Sequence, residues 1–241
     1  MIWHLALMEW RRLMRTPFAW FTLAMATLLL SWRFLGALES FSGLQNNASG
    51  PGLSHHLGLQ LYGQATVILL LITPILAMRA VSESFRSGAF TLLSSAPLSM
   101  PTVLLGKWFG IVMFQLLLVL LPTGMCLSLA GAAHLDPGLI AAATLGLLLL
   151  SLLFGAATLY LALLSENPAF TAAAGYGLLL LLSLLDQHTP GGSFLHWLAW
   201  PTHYLNLQLG LVHTGDLAYF LLLTLFFLGL GLHRLDRRRR G

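Results

Sequence analysis

Residues 138–164 read GLIAAATLGLLLLSLLFGAATLYLALL, and this stretch contains no charged side chain. An apolar run of about 20 residues is long enough to cross the hydrocarbon core of a bilayer as a helix. A helix satisfies every backbone N–H and C=O within its own segment, which a lipid environment requires. The stretch therefore predicts a membrane-spanning helix.

Similar apolar runs lie on both sides of this one. The chain is 57% hydrophobic and only 8% charged, whereas about a quarter of the residues of a soluble domain are charged. These apolar runs occupy most of the chain, so no separate soluble domain is expected. We predict an all-α, polytopic integral membrane protein forming a single transmembrane domain over residues 1–241, with six spans at about residues 17–38, 57–78, 102–131, 138–164, 169–185 and 217–232.

Residues 1–16 mix apolar side chains with Glu9, Arg11 and Arg15. This mixture predicts an amphipathic helix that lies in the membrane interface. The alternative is a cleaved signal peptide, which also has a basic segment before an apolar one. The apolar stretch that follows is long, and Leu38-Glu39-Ser40 is a poor cleavage site, so we expect the segment to be retained.

The distribution of Lys and Arg predicts the orientation, because cytoplasmic loops carry an excess of both. Six spans place every Lys and Arg except Arg33 on one side. Both termini are therefore expected in the cytoplasm, and the protein in the plasma (inner) membrane. The positive net charge follows from this topology, so we expect no nucleic acid partner.

The connection between the second and third spans reads MRAVSESFRSGAFTLLSSAP over residues 78–97. Its apolar residues recur at spacings of three and four, which predicts an amphipathic helix. The opposite face presents Glu83, Arg86 and Ser87. Such a helix suits docking of a soluble cytoplasmic partner. The alternative is that it rests on the lipid headgroups with its charges solvated.

This connection, with Leu104-Leu105-Gly106-Lys107 after it, resembles the signature of ABC-2 type permeases. The similarity is closest to the branch that includes gliding-motility permeases and the membrane subunit of the copper-loading transporter for nitrous oxide reductase. Further matching positions follow in the same order along nearly the whole chain: Ser165-Glu166-Asn167-Pro168, residues 177–181, His203, Gly210, Asp216, Tyr219-Phe220 and the basic tail.

The resemblance implies that residues 82–93 form a coupling helix, which sits in a groove of a cytoplasmic ABC ATPase. By position, the residues at that interface are Glu83, Arg86, Ser87, Gly88 and Leu92. The chain departs from the family pattern by lacking a second acidic residue after Gly88. The resemblance also implies a homodimer or a paired permease, and an extracytoplasmic partner where force rather than cargo is transmitted.

The chain has no phosphate-binding loop of its own, because Gly106-Lys107 lacks the upstream glycine and the following Ser or Thr. It also shows no arrangement typical of a catalytic site, so we predict a transporter subunit rather than an enzyme. ATP and Mg²⁺ are expected on the partner ATPase. The substrate is not identifiable from the sequence, and a lipid-like or hydrophobic cargo fits the apolar spans.

Histidines on the outer side suggest the alternative function, a membrane protein that handles metal or haem. Imidazole is a common metal ligand, and His55, His56 and His203 are the candidate ligands. Histidine also populates membrane interfaces without binding metal, and His203 is expected to be structural. A third possibility is a structural anchor for an extracytoplasmic complex.

Two further patterns concern packing inside the membrane. Gly106-x-x-x-Gly110 is typical of helices that pack closely, here within the subunit. Gln115 and Thr73-Pro74 are the main polar or kinked points within the spans. Such groups usually face the protein interior.

Overall fold

The computed structural model describes residues 2–44, 52–86, 100–129, 131, 135–165, 167–188 and 194–240. Within these ranges the chain forms α-helices and no strand. The helices are α1 Ile2–Met14, α2 Pro17–Leu44, α3 Leu53–Arg86, α4 Met100–Ser128, α5 Pro137–Leu164, α6 Pro168–His188, α7 Phe194–Trp197, α8 Trp200–Gln208 and α9 Thr214–Arg240.

Six of the described helices, α2 to α6 and α9, are long and apolar enough to cross a membrane. The predicted all-α fold with six membrane-spanning helices is therefore confirmed. Most of the helices extend beyond the predicted apolar runs. The difference is largest for α3, which is continuous from Leu53 to Arg86 where the prediction separated a span from a coupling helix.

The most apolar stretch, α5, lies at the centre of the bundle. In its apolar window 72% of the residues are buried, against 22% for α2 and for α6. It contacts α3, α4, α6, α8 and α9. Asp136 caps its N-terminus by accepting hydrogen bonds from the backbone of Gly138 and Leu139, and Pro137 occupies the first turn, where a missing N–H has no cost. The helices with the most exposed apolar side chains are on the periphery, as expected for a bundle surrounded by lipid.

The two ends of the bundle differ in charge. One end holds α1, the C-terminal ends of α3 and α9 and the N-terminal end of α4, and we call it the basic end. The opposite end holds the start of α3, α7, α8 and the start of α9, and we call it the far end. At the far end, the backbone of Asp136 donates a hydrogen bond of 2.8 Å to the Ser54 hydroxyl, which ties the start of α5 to the start of α3.

The short helix α8 lies inside the far end, packed against α3, α5 and α6. Glycines on the neighbouring helices make this possible: a Cβ on Gly58 would lie 2.7 Å from the Gln208 carbonyl oxygen, and one on Gly146 would lie 2.8 Å from Leu207 Cβ. The buried Tyr204 hydroxyl donates to the Tyr62 carbonyl oxygen at 3.2 Å. Burial raises the pKa of Tyr204 well above its ordinary value, so the hydroxyl remains a neutral donor.

A polar contact lies at mid-height between α3 and α4. The Gln115 amide donates to the Thr73 hydroxyl at 2.7 Å, and that hydroxyl donates to the Leu69 carbonyl oxygen at 2.6 Å. Both side chains are fully buried. Pro74 follows directly and interrupts the hydrogen-bond pattern of α3. Thr73 and Gln115 therefore brace α3 against α4 where α3 is weakest.

Candidate functional site

The basic end is built around the crossing of α1 over α4. A Cβ on Gly106 would lie 2.8 Å from Leu5 Cβ, and one on Gly110 would lie 2.7 Å from Glu9 Cβ. Only glycine permits so close an approach, since a side chain would force the helices apart. The Gly106-x-x-x-Gly110 motif thus lets α1 pack directly against α4, and Ala6 of α1 is fully buried.

An ion pair lies beside these glycines. Lys107 Nζ donates to Glu9 Oε1 at 2.6 Å and to the Ala80 carbonyl oxygen at 2.8 Å. Lys107 is 5% exposed, and a buried ammonium needs both a countercharge and hydrogen-bond acceptors. The Lys107 side chain belongs to α4 and contacts both α1 and α3. These three helices are joined at one point, which we call the Lys107 junction, formed by Glu9, Ala80 and Lys107.

A second contact fixes α3 close to the junction. The Arg79 guanidinium lies 3.9 Å from the centroid of the Phe18 ring, a cation–π geometry. Phe18 is in the first turn of α2, so this contact adds a fourth helix to the cluster. The stretch of α3 immediately before Ser82 is therefore held from two sides.

The predicted ATPase-coupling residues follow directly after the Lys107 junction. Glu83 and Arg86 lie in the last turns of α3, beyond the apolar run predicted at residues 57–78. Ser87, Gly88 and Leu92 fall outside the residues that the structure describes. Two of the five predicted interface residues, Glu83 and Arg86, thus lie on a helical extension of α3 past its apolar segment.

At the far end, His203 lies in a polar network with α9. Its Nδ1 is 2.6 Å from Asp216 Oδ1 and its Nε2 is 3.0 Å from the Trp197 carbonyl oxygen. Each ring nitrogen therefore faces an oxygen atom of the protein, one from a carboxylate and one from the backbone. The Asn206 amide donates to the other oxygen of Asp216 at 3.0 Å. We call the set Trp197, His203, Asn206 and Asp216 the far-end clasp.

The ring of Tyr219 packs against the far-end clasp. It stacks on the His203 ring with centroids 4.1 Å apart, and its hydroxyl donates to the Leu198 carbonyl oxygen at 2.7 Å. Asp216 is 5% exposed. The His203–Asp216 pair is thus enclosed and fixes α8 to α9, which gives His203 a structural role in this arrangement.

The other candidate metal ligands, His55 and His56, occupy the first turn of α3. The His56 ring packs edge-on against Phe41, with centroids 6.3 Å apart. Among the described residues, no three His, Cys, Asp or Glu side chains are grouped so that they could hold a metal ion. The metal- or haem-handling hypothesis gains no support from this part of the chain.

Sequence reasoning missed two partners. Glu9 was assigned to the polar face of an interfacial helix, yet it is the countercharge of Lys107. Asp216 was noted only as a position shared with the family, yet it pairs with His203. The Glu9–Lys107 pair could have been anticipated in part, because Lys107 lies within an apolar run and a lysine there needs an acidic residue nearby.

No protein-family model matches the chain, and no curated protein is significantly similar to it. The resemblance to ABC-2 permeases therefore remains a prediction based on the sequence motifs.

Proposed function

We propose that the chain is the transmembrane permease subunit of an ABC-type exporter, or of an ABC complex that transmits force across the membrane. ATP and Mg²⁺ would bind to a separate cytoplasmic ATPase subunit. The observation that supports this most is the continuity of α3, which runs from the far end through its apolar span and on to Arg86, with its exit held by the Lys107 junction.

The junction gives a physical route for coupling. A force applied to residues 82–93 acts on the end of α3 first. Because Lys107 binds both the Ala80 carbonyl and Glu9, α1 and α4 must move with α3 or Lys107 must lose its hydrogen bond to Ala80. Losing a hydrogen bond to a buried charged group costs about 1.5–3 kcal/mol. The three helices would therefore respond together to an ATPase.

The same helix reaches the far end. Tyr62 of α3 accepts the hydrogen bond of Tyr204 in α8, and α8 is fixed to α9 by the far-end clasp. In the proposed cycle, ATP binding closes the ATPase dimer, the coupling helix moves, and α3 transmits the displacement to α8. This opens an outward path for a cargo or acts on an extracytoplasmic partner.

Assembly as a homodimer or paired permease in the plasma (inner) membrane, with both termini in the cytoplasm, completes the proposal. Peripheral α2 exposes apolar side chains along its length, and these would face lipid or a second copy of the chain. They include Trp20, Phe21, Leu28 and Trp32.

The test is co-expression with a candidate ABC ATPase subunit, followed by purification in mild detergent. Wild type is compared with the Glu83→Arg, Arg86→Glu double variant. Asp236→Arg, Arg239→Glu is the matched control, because it swaps an acid and a base at the same spacing in the last turns of α9.

We expect the ATPase to co-purify with wild type and with the control but not with the Glu83, Arg86 variant, while all three proteins elute as folded, monodisperse species. An ATPase that binds all three equally contradicts the coupling-helix assignment. If no ATPase binds wild type, the permease proposal fails, and metal or haem content of the purified protein becomes the measurement to make.

A further inference from the structure

The side-chain amide of Gln115 in α4 is hydrogen-bonded at one end only. Its Nε2 donates to the Thr73 hydroxyl at 2.7 Å, and the side chain is fully buried. Its Oε1 is buried too and accepts no hydrogen bond from the described residues. Turning the amide by 180° only exchanges the two atoms, so one of them still lacks a partner. Buried polar atoms in proteins nearly always have a hydrogen-bond partner, so this oxygen indicates where a small polar ligand is expected.

The Gln115 oxygen lies beside Gly155 of α5. A Cβ on Gly155 would be 3.4 Å from Gln115 Oε1 and 3.5 Å from Trp108 Nε1. These are ordinary van der Waals distances, so the two helices leave room there for one group of methyl size. The Trp108 indole N–H donates to the Leu152 carbonyl oxygen at 3.2 Å, and an N–H in so long a bond can be shared between two acceptors. The position beside Gly155 is thus bordered by an acceptor and a donor.

The size and polarity of this position select the ligand. A water molecule donates to Gln115 Oε1 and accepts from Trp108 Nε1, and a buried water needs two to four such partners. A cation needs several oxygen ligands, whereas this position offers one amide oxygen and faces the hydrogen of an indole. An apolar group fills the space but leaves the oxygen without a donor.

We propose that a single structural water binds beside Gly155, between Gln115 and Trp108, and fills the contact between α4 and α5. The Gln115 amide already joins α4 to α3 through Thr73. The water extends this polar contact to the surface of α5 at mid-height of the bundle, where lipid supplies no hydrogen bonds. Glycine is required at position 155, because any larger residue places a carbon atom where the water binds. The site is independent of the proposed coupling to an ATPase.

The first measurement is proton-detected solid-state NMR of the full chain in lipid bilayers. Short-range magnetisation transfer from water to the Trp108 indole N–H, whose signal is assigned by its loss in Trp108→Phe, reports a water bound at the ring. Wild type should show this transfer, and Gly155→Ala should lose it. The matched control is Gly231→Ala, because a Cβ there would meet leucine methyl groups at 3.3–3.6 Å and no polar atom. The control should keep the transfer.

The second measurement is the unfolding equilibrium in mixed micelles, with both alanine variants also made in a Gln115→Met background. In the wild-type background, Gly155→Ala should raise the unfolding equilibrium constant about tenfold, because its methyl group displaces the water and leaves the Gln115 oxygen unpaired. In the Gln115→Met background the same change should lower that constant by up to about fivefold through helix propensity. Gly231→Ala should have the same effect in both backgrounds.

Two results would refute the water site. If Gly155→Ala changes the unfolding equilibrium constant equally in both backgrounds, the effect comes from packing alone. If wild type shows no transfer from water but a contact between the Trp108 N–H and the Gln115 side chain, the indole itself is the donor to Oε1. Should Gly155→Ala not fold, transfer in wild type and its loss in Gln115→Met provide the same test.

Discussion

Neutralising Glu9 should loosen α1 from the bundle. In Glu9→Gln the side chain keeps its size, but the buried Lys107 ammonium loses its carboxylate partner and keeps its hydrogen bond to the Ala80 carbonyl oxygen. The reciprocal change, Lys107→Met, keeps most of the apolar stem and removes the cation. The double variant removes both charges.

The expected magnitudes follow from distance and burial. At 2.6 Å and an effective dielectric constant of about 20, the attraction is about 6 kcal/mol. Desolvation of the two groups offsets part of it. The Lys107 side chain is 6% exposed and that of Glu9 is 16% exposed, so Lys107 without the Glu9 carboxylate is worse solvated than Glu9 without the Lys107 ammonium. We expect Glu9→Gln to lower the free energy of unfolding by about 3 kcal/mol and Lys107→Met by about 2 kcal/mol.

The double variant should lose only about 2 kcal/mol, because no buried charge is left without a partner. The loss in the double variant is then about 3 kcal/mol smaller than the sum of the two single losses. The measurement is unfolding of the purified protein in mixed micelles by increasing the mole fraction of dodecyl sulfate, followed by tryptophan fluorescence. Glu39→Gln is the matched control, since it neutralises an exposed glutamate of α2, and should change the stability by less than about 0.5 kcal/mol.

Additive losses in the double variant would refute this account of the junction. A Glu9→Gln protein as stable as wild type would do the same, and α1 would then be held by glycine packing alone.

Two further predictions use the same unfolding assay. Gly110→Ala should lower the free energy of unfolding by about 2 kcal/mol, because the new Cβ would lie 2.7 Å from Glu9 Cβ. The control Gly124→Ala places its Cβ where no atom lies within 4 Å and should raise the free energy of unfolding by up to about 1 kcal/mol through helix propensity. Equal effects of the two variants would show that the close crossing does not constrain α1. Asp216→Asn should lower the free energy of unfolding by about 2 kcal/mol, because it removes the carboxylate that His203 and Asn206 contact. Hydrogen exchange should accelerate in α8 more than in α5, and uniform acceleration would argue against a local clasp.

The spans were predictable because hydrophobic length is a property of each segment by itself. An apolar run such as residues 138–164 partitions out of water into the bilayer independently of the other segments of the chain. The helix around Gly106 and Gly110 was predicted to pack closely for a similar reason, since two small residues one turn apart make a flat surface. Which helix would fill that surface was not predictable, because α1 reaches it only through the turn at Arg15 and Thr16.

The far-end elements were harder to predict. Residues 186–216 mix aromatic, polar and small side chains without a single period, and the segment was expected only to lie outside the spans. Whether α8 rests on the bundle or enters it depends on Gly58 and Gly146, which lie far away in the sequence and leave space for it. The His203–Asp216 pair depends on that placement, so it also could not be derived from spacing.

The contact between Tyr204 and Tyr62 joins residues separated by 142 positions, and this separation has a consequence for biogenesis. A ribosome must synthesise five of the six spans before Tyr204 emerges, so α3 and α5 are already in the bilayer while the pocket between them is vacant. Until α8 enters it, the Tyr62 carbonyl and the surfaces of Gly58 and Gly146 are uncovered. Entry of α8 is therefore a late step of maturation, and a nascent chain arrested before residue 200 should be more sensitive to membrane quality-control proteases than the finished protein.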